Sequence, residues 1–349
     1  MKKISIRVWI SVATFILIGV ILVFSRKDLA RAWHLIGQLD WWILVLIVPT
    51  VLLGYLATGE MIFSYLRFKK LIKHVSLWAQ IRISLELNFV NHVLPSGGLS
   101  GVSYMNWRLG KYGVSVGRAT MAQAVRYAMG FASVIVLLAI SVLLVTMDGT
   151  VNRWLILMST ALVVCMVSAV IFVMYLMSDT KRISNFSHGA ARFANKVVKK
   201  VTFGHIKTLV VAKKVEVFLV DLTDDYASLM RDKRAMLQPF LWGFVSMLSD
   251  VAVFWIVFWA LGSPVNPAPI LIGFGIASIA GFFVVTPGGA GAYEAVMVIV
   301  LGIAGMAQSE AIAGVVLSRV IILLVTIVGG YVLYQQVVVK YGKRPNSEI

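Results

Sequence analysis

Of the 349 residues, 60% are hydrophobic and 13% charged, with a mean hydropathy of +0.89, an apolar excess that no water-soluble interior could absorb. A formal net charge of +17 in so apolar a chain points to anionic headgroups and leaves nucleic acid unneeded as a partner. One cysteine, Cys165 in an apolar run, excludes a disulfide framework and a CxxC metal site.

Crossing a hydrocarbon core of about 30 Å takes roughly 20 helical residues. The apolar runs are continuous and do not alternate at period two, so they predict helices and exclude a barrel. The first, 8–24, follows Lys2, Lys3 and Arg7 and reads as an uncleaved anchor. A cleaved secretory signal is the alternative, with Ala30-Arg31-Ala32 as a mimic of its cleavage site, although Arg26, Lys27 and Asp28 intervene. Further spans are predicted at 41–66, 118–146, 153–177, 238–261 and 309–339. Two stretches read as broken or re-entrant hairpins. Segment 77–94 carries Arg82, Glu86, Asn88, Asn91 and His92, and 268–305 is interrupted by Thr286-Pro287-Gly288-Gly289-Ala290-Gly291. Backbone that is not helical is tolerated at membrane depth only where protein or a wet cavity covers it. The expectation is therefore an all-α polytopic bundle of six full spans plus two hairpins in inverted orientation. It forms a single transmembrane domain over 1–349.

Within it, 178–237 is expected to be a basic cytoplasmic amphipathic loop. Phe193, Val197 and Val201 recur at i, i+4 and i+8 beside Lys196, Lys199 and Lys200, the pattern of a helix lying on headgroups. Phe218, Leu222, Tyr226 and Leu229 continue an apolar stripe among Glu216, Asp221, Asp224 and Asp225. The stretch is too short for a catalytic domain and reads as a membrane-hugging connector, with a regulatory partner site as the alternative.

Basic residues orient the chain. One face collects the basic residues at positions 2–7, 67–73, 108–118, 181–234 and 340–344, against Arg26, Lys27, Arg31 and Arg153 on the other. That is an excess of about six to one, which puts both termini in the cytoplasm.

Motifs of soluble enzymes, a Walker loop, HExxH or GxSxG, are missing, and the histidines do not pair at ligand spacing, so neither cofactor nor metal is expected. The informative residues are charges at membrane depth: Arg126, Asp250 and Arg319, with Glu86 and Glu294 beside the two broken segments. Such charges face a bundle interior or an aqueous cavity. They either pair with one another, for example Asp250 with Arg319, or the arginines Arg126 and Arg319 meet a lipid phosphate while Glu86, Asp250 and Glu294 meet a cationic headgroup or a proton. Asn88 and Asn91 would line a polar groove. The breaks match each other: Pro95, Gly97 and Gly98 in one, and Pro287, Gly288, Gly289 and Gly291 in the other, each place a proline and glycines after an apolar helix. Glycine permits close backbone approach, and helix N-termini beyond a break offer free amides to an anion.

These residues resemble the transmembrane region of lysylphosphatidylglycerol synthases/flippases, including its stand-alone members. The resemblance runs over nearly the whole chain. It rests on Asn88-Phe89-Val90-Asn91-His92-Val93-Leu94-Pro95-Ser96-Gly97-Gly98, on Arg108, Gly113, Arg126 and Arg319, and most specifically on Thr286-Pro287-Gly288-Gly289-Ala290-Gly291-Ala292-Tyr293-Glu294. It implies a plasma (inner) membrane protein with re-entrant helices that moves phospholipids or polyprenyl-linked lipids between leaflets. Two departures stand out. Acidic residues found in many members near the first glycine pair and before the first arginine are replaced by Leu99-Ser100-Gly101 and Val125-Arg126, and no aminoacyl-transferase domain is expected after Ile349. The expected function is thus lipid translocation rather than lysyl transfer. The alternatives are a membrane-embedded transferase with Glu86 or Asp250 as general base, or a non-transporting partner of a cell-envelope glycosyltransferase. A synthase or glycosyltransferase partner and a homodimer stay open.

Overall fold

The computed structural model describes residues 39–73, 75–93, 99–148, 153–177, 179–201, 213, 233–263, 265–283 and 291–341. The predicted first span, the break residues Pro95, Gly97, Gly98, Pro287, Gly288 and Gly289, and most of 202–232 lie outside them.

All regular structure among the described residues is helical. In chain order the helices are α1 (Trp41–Leu44), α2 (Ile47–Phe68), α3 (Leu77–Val93), α4 (Leu99–Gly110), α5 (Val116–Asp148) and α6 (Arg153–Met177). They continue with α7 (Thr180–Val201), α8 (Arg234–Ala260), α9 (Pro267–Phe283), α10 (Ala292–Ile303), α11 (Gln308–Leu324) and α12 (Gly330–Tyr341). Four stretches are long and apolar enough to cross a membrane: Trp41–Phe68, Val116–Leu144, Arg234–Ala260 and Gln308–Lys340. Shorter apolar helices, Pro267–Ser278 and Ala292–Ile303, accompany them. The protein is a multi-pass helical membrane protein. The apolar stretch 268–305 resolves into two helices, α9 and α10, on either side of the predicted interruption.

Two compact units divide the chain, 1–162 with 237–349, and 163–236. In the second, α7 buries Ile183, Ser187 and Ala191 at i, i+4 and i+8 while Lys181, His188 and Lys196 are exposed, the one-sided pattern of an amphipathic helix.

In the first unit, Asp40 starts α1 by accepting the Trp42 N–H at 3.0 Å, and Arg67 in the last turn of α2 pairs with Glu60, where a cation also suits the helix dipole. Helix α2 packs on α3 and α5, α3 packs also on α4 and α12, and α9 is sandwiched by α5 and α10, with α10 leading into α11. Lipid tails are as apolar as leucine, so such contacts depend on close fit more than on exclusion of water. At Gly314 a Cβ would stand 2.1 Å from the ring of Phe258, so α11 can approach α8 only with glycine there. A buried apolar cluster of Phe254, Phe258, Met297, Leu301 and Val315 fills the space between α8, α10 and α11. The final span is continuous by composition but is not one regular helix. Val325–Gly329 forms a π segment between α11 and α12, a local widening of the kind that often accompanies functional sites.

Candidate functional site

The site is built around a cation that the last span cannot leave unpaired. Arg319 lies about three turns into α11, and its side chain is 12% exposed. Its Nε donates to Glu294 Oε1 at 2.7 Å, and its guanidinium carbon sits 4.5 Å from the centre of the Tyr293 ring. The other carboxylate oxygen, Glu294 Oε2, accepts the N–H of Gly291 at 2.6 Å. Glu294 is the third residue of α10, so this is the reach-back half of a capping box and places a negative charge where the helix dipole favours it. Gly291 has φ 90°, in the left-handed region that side chains with a Cβ rarely occupy. One carboxylate thus ties the end of the glycine-rich interruption to the last span.

Arg319 lines a cavity of about 320 Å³ between α2, α3, α8, α9, α10 and α11. Asp250, from the middle of α8, lines it too. No described residue hydrogen-bonds or ion-pairs with the Asp250 carboxylate; the pairing of Arg319 with Asp250, one of the sequence expectations, gives way to Arg319 with Glu294. The reason is reach: Glu294 follows the interruption directly and sits one helix away, across the contact of α10 with α11.

The rest of the wall is rich in hydroxyls: Thr50, Tyr55, Thr58, Ser249, Ser278 and Thr326. Several have their own protons committed to the preceding helical turn. Thr50 donates to Leu46 O at 2.7 Å, Ser249 to Val245 O at 2.8 Å and Thr326 to Ile322 O at 2.7 Å. Their oxygens are therefore left to accept. With the Thr326 proton used, Tyr55 O–H is the donor in its 2.5 Å contact with Thr326 Oγ1, which links α2 to the π segment. Asn88 and His92 complete the polar lining from α3. His92 Nδ1 lies 2.8 Å from Asn88 O; a carbonyl can only accept, so Nδ1 carries a hydrogen. The acceptors, the one carboxylate and the one guanidinium, set among Val51, Val253, Phe254, Phe274 and Ile322, suit a polar group at membrane depth.

The structure thus brings together Arg319, Asp250, Glu294 and Asn88 among the residues singled out by sequence. Others lie elsewhere. Glu86 is fully buried at the contact of α3 with α4, where its Oε2 accepts Tyr104 O–H at 2.7 Å and Arg108 Nε at 3.0 Å. Asn91 faces Gly101 on α4, whose Cβ, if present, would fall 2.0 Å from Asn91 Oδ1. Arg126 sits on α5 with its guanidinium carbon 4.4 Å from the Tyr127 ring centre, and is not among the residues lining the cavity. Residues that the sequence did not single out as site residues are His92, Tyr55, Ser249 and Tyr293. His92 had a usable signal, standing four residues after Asn88 and just before Pro95.

Residues 8–330 match the family described as the lysylphosphatidylglycerol synthase TM region. The chain is also similar to a UPF0104 membrane protein of Methanothermobacter thermautotrophicus, with 23% identity over 247 residues, 66% of this chain and 67% of that protein.

If Glu294 is what makes the Arg319 charge tolerable, Glu294→Gln should lower stability by about 2–3 kcal/mol, less than for a fully buried pair because both side chains stay partly exposed. Arg319→Gln together with Glu294→Gln should cost less than the sum of the two single changes. Thermal unfolding in detergent checks this, and strictly additive losses would show that the pair has no energetic meaning.

Proposed function

Because the chain belongs to the lysylphosphatidylglycerol synthase transmembrane-region family, we propose that it is a lipid translocase, moving a phospholipid or polyprenyl-phosphate-linked lipid between the leaflets of the plasma membrane. The observation that carries this reading is the hydroxyl-lined cavity holding Arg319 and Asp250 at membrane depth, beside the end of a helical interruption. A headgroup crossing hydrocarbon needs polar partners along its path, and this cavity supplies them. Arg319 faces the lipid phosphate, with Glu294 fixing its orientation, and Asp250 receives a headgroup amine or a proton. Arg126 does not line the cavity, so the phosphate role rests on Arg319. The interruption residues Pro287, Gly288 and Gly289, with Pro95, Gly97 and Gly98 in the matching hairpin, let the headgroup pass close to backbone.

Membrane phospholipids or polyprenyl-linked lipids are the proposed partners, with a synthase or glycosyltransferase supplying the headgroup in the inner leaflet. The distribution of lysine and arginine supports both termini in the cytoplasm. A reporter fused after Ile349 should then be active only on the cytoplasmic side; activity outside would overturn this orientation.

Translocation is tested in liposomes containing labelled phospholipids and polyprenyl phosphates, scoring exchange between leaflets. The native protein should accelerate exchange of at least one lipid. Arg319→Gln and Asp250→Asn should each slow it by about 10- to 100-fold, the loss expected for one charge-assisted hydrogen bond. The double variant should be no faster than either single one; recovered exchange would mean that the two residues only balance each other's charge. Chemically altered lipid in the same vesicles, without exchange, would instead support an embedded transferase with Asp250 as general base.

A further inference from the structure

A second cavity, of about 420 Å³, lies beside the polar one, between the start of the first described span and the last span. Its wall is apolar, formed by Trp41, Val48 and Leu52 on one side and Ile321 and Val325 on the other. It is not a separate feature of the surface. Val51 lines both cavities, and along the last span neighbouring residues divide between them: Ile321 faces the apolar one and Ile322 the polar one, then Val325 and Thr326 repeat the division. That second division falls at the start of the π segment; in both, residues one apart on a helix project about 100° from each other.

A polar chamber and an apolar groove that share a wall have the two-part character of an amphiphile. We propose that the groove holds one alkyl chain of the lipid whose polar end occupies the Arg319 cavity, so that the lipid enters or leaves sideways between α2 and the last span. This rests on the translocase reading and adds the route and the part of the substrate that the second site takes. The groove gains nothing from the hydrophobic effect, since a tail inside it and a tail in the bilayer are equally apolar. Its role is continuity: the chain stays in hydrocarbon while the headgroup sits among hydroxyls. Val48 is 61% exposed and Trp41 70% exposed, so the groove is open on its outer side among the described residues. Trp41 and Trp42 stand at its end, as tryptophans do at a membrane interface. In the proposed orientation that end belongs to the outer leaflet. The Tyr55–Thr326 hydrogen bond joins α2 to the last span on the polar side of this seam.

The test is photo-crosslinking in native membranes, with benzoylphenylalanine at Val48 in the groove and, as a control, at Leu143 on α5, which is 63% exposed. Mass spectrometry then identifies the adduct. A lipid adduct is expected at both positions. Only at position 48 should one lipid be enriched over the bulk membrane composition, and that enrichment should fall, by about tenfold or more, in Arg319→Gln and in Asp250→Asn, because there the tail is tethered to a charged cavity. Both variants are compared after each is shown to elute as the native protein does. An adduct at position 48 that ignores both changes is ordinary surrounding lipid and overturns the proposal. So does an adduct to residues 8–24, which would make the chain's own apolar segment the occupant. A charge-dependent adduct without leaflet exchange in liposomes would keep the groove and sink translocation.

Discussion

An arginine at membrane depth must be matched, and the way Arg319 is matched organises everything around it. Its partner, Glu294, is also the carboxylate that accepts the Gly291 N–H. A single side chain therefore closes the glycine-rich interruption and fixes the orientation of the guanidinium. Were Glu294 satisfied by Arg319 alone, the start of α10 would carry an unanswered N–H. Were it satisfied by Gly291 alone, Arg319 would lose this carboxylate in a low dielectric. The positive φ of Gly291 makes the arrangement possible, because the chain must turn there to bring the carboxylate back on its own helix start.

The two segments with predicted breaks use the same device with different outcomes. In the first, Glu86 meets Arg108 and Tyr104 in a fully buried contact of α3 with α4, and its exposure is 0%. There the pair acts as a staple. In the second, Glu294 and Arg319 keep 22% and 12% of their side chains exposed, and Arg319 lines a cavity. Asp250 adds to that cavity a carboxylate that no described residue hydrogen-bonds or ion-pairs. The contrast separates charge that holds helices together from charge that lines a cavity, and the proposed lipid site lies at the second broken segment.

Much of the architecture was legible in the sequence because hydropathy reports depth. The apolar runs gave the helical class, and the proline-glycine interruption correctly divided α9 from α10. The residues that carry the family resemblance run along most of the chain that the family covers, 8–330. What hydropathy does not report is azimuth. On a helix apolar all round, depth says how far a charge lies from the membrane surface but not which neighbour it faces. Arg126 and Arg319 looked interchangeable on that scale, yet only Arg319 lines the cavity. The same blindness made Asp250 the natural partner of Arg319 by depth, whereas the partner found is Glu294, set by the short reach from the start of α10. The π segment at Val325–Gly329 had no proline to announce it. Only the Gly329-Gly330 pair hinted at a departure from regular helix there.

In the proposed function, helical interruption, oriented cation and adjoining apolar groove together hold a molecule with a charged end and a hydrocarbon end. Native mass spectrometry of the protein extracted in mild detergent tests that claim most directly. The account predicts a retained lipid on the native protein that is lost in both Arg319→Gln and Asp250→Asn, while the Glu86–Arg108 staple remains intact. The same lipid complement on all three proteins, or none on any, would contradict it.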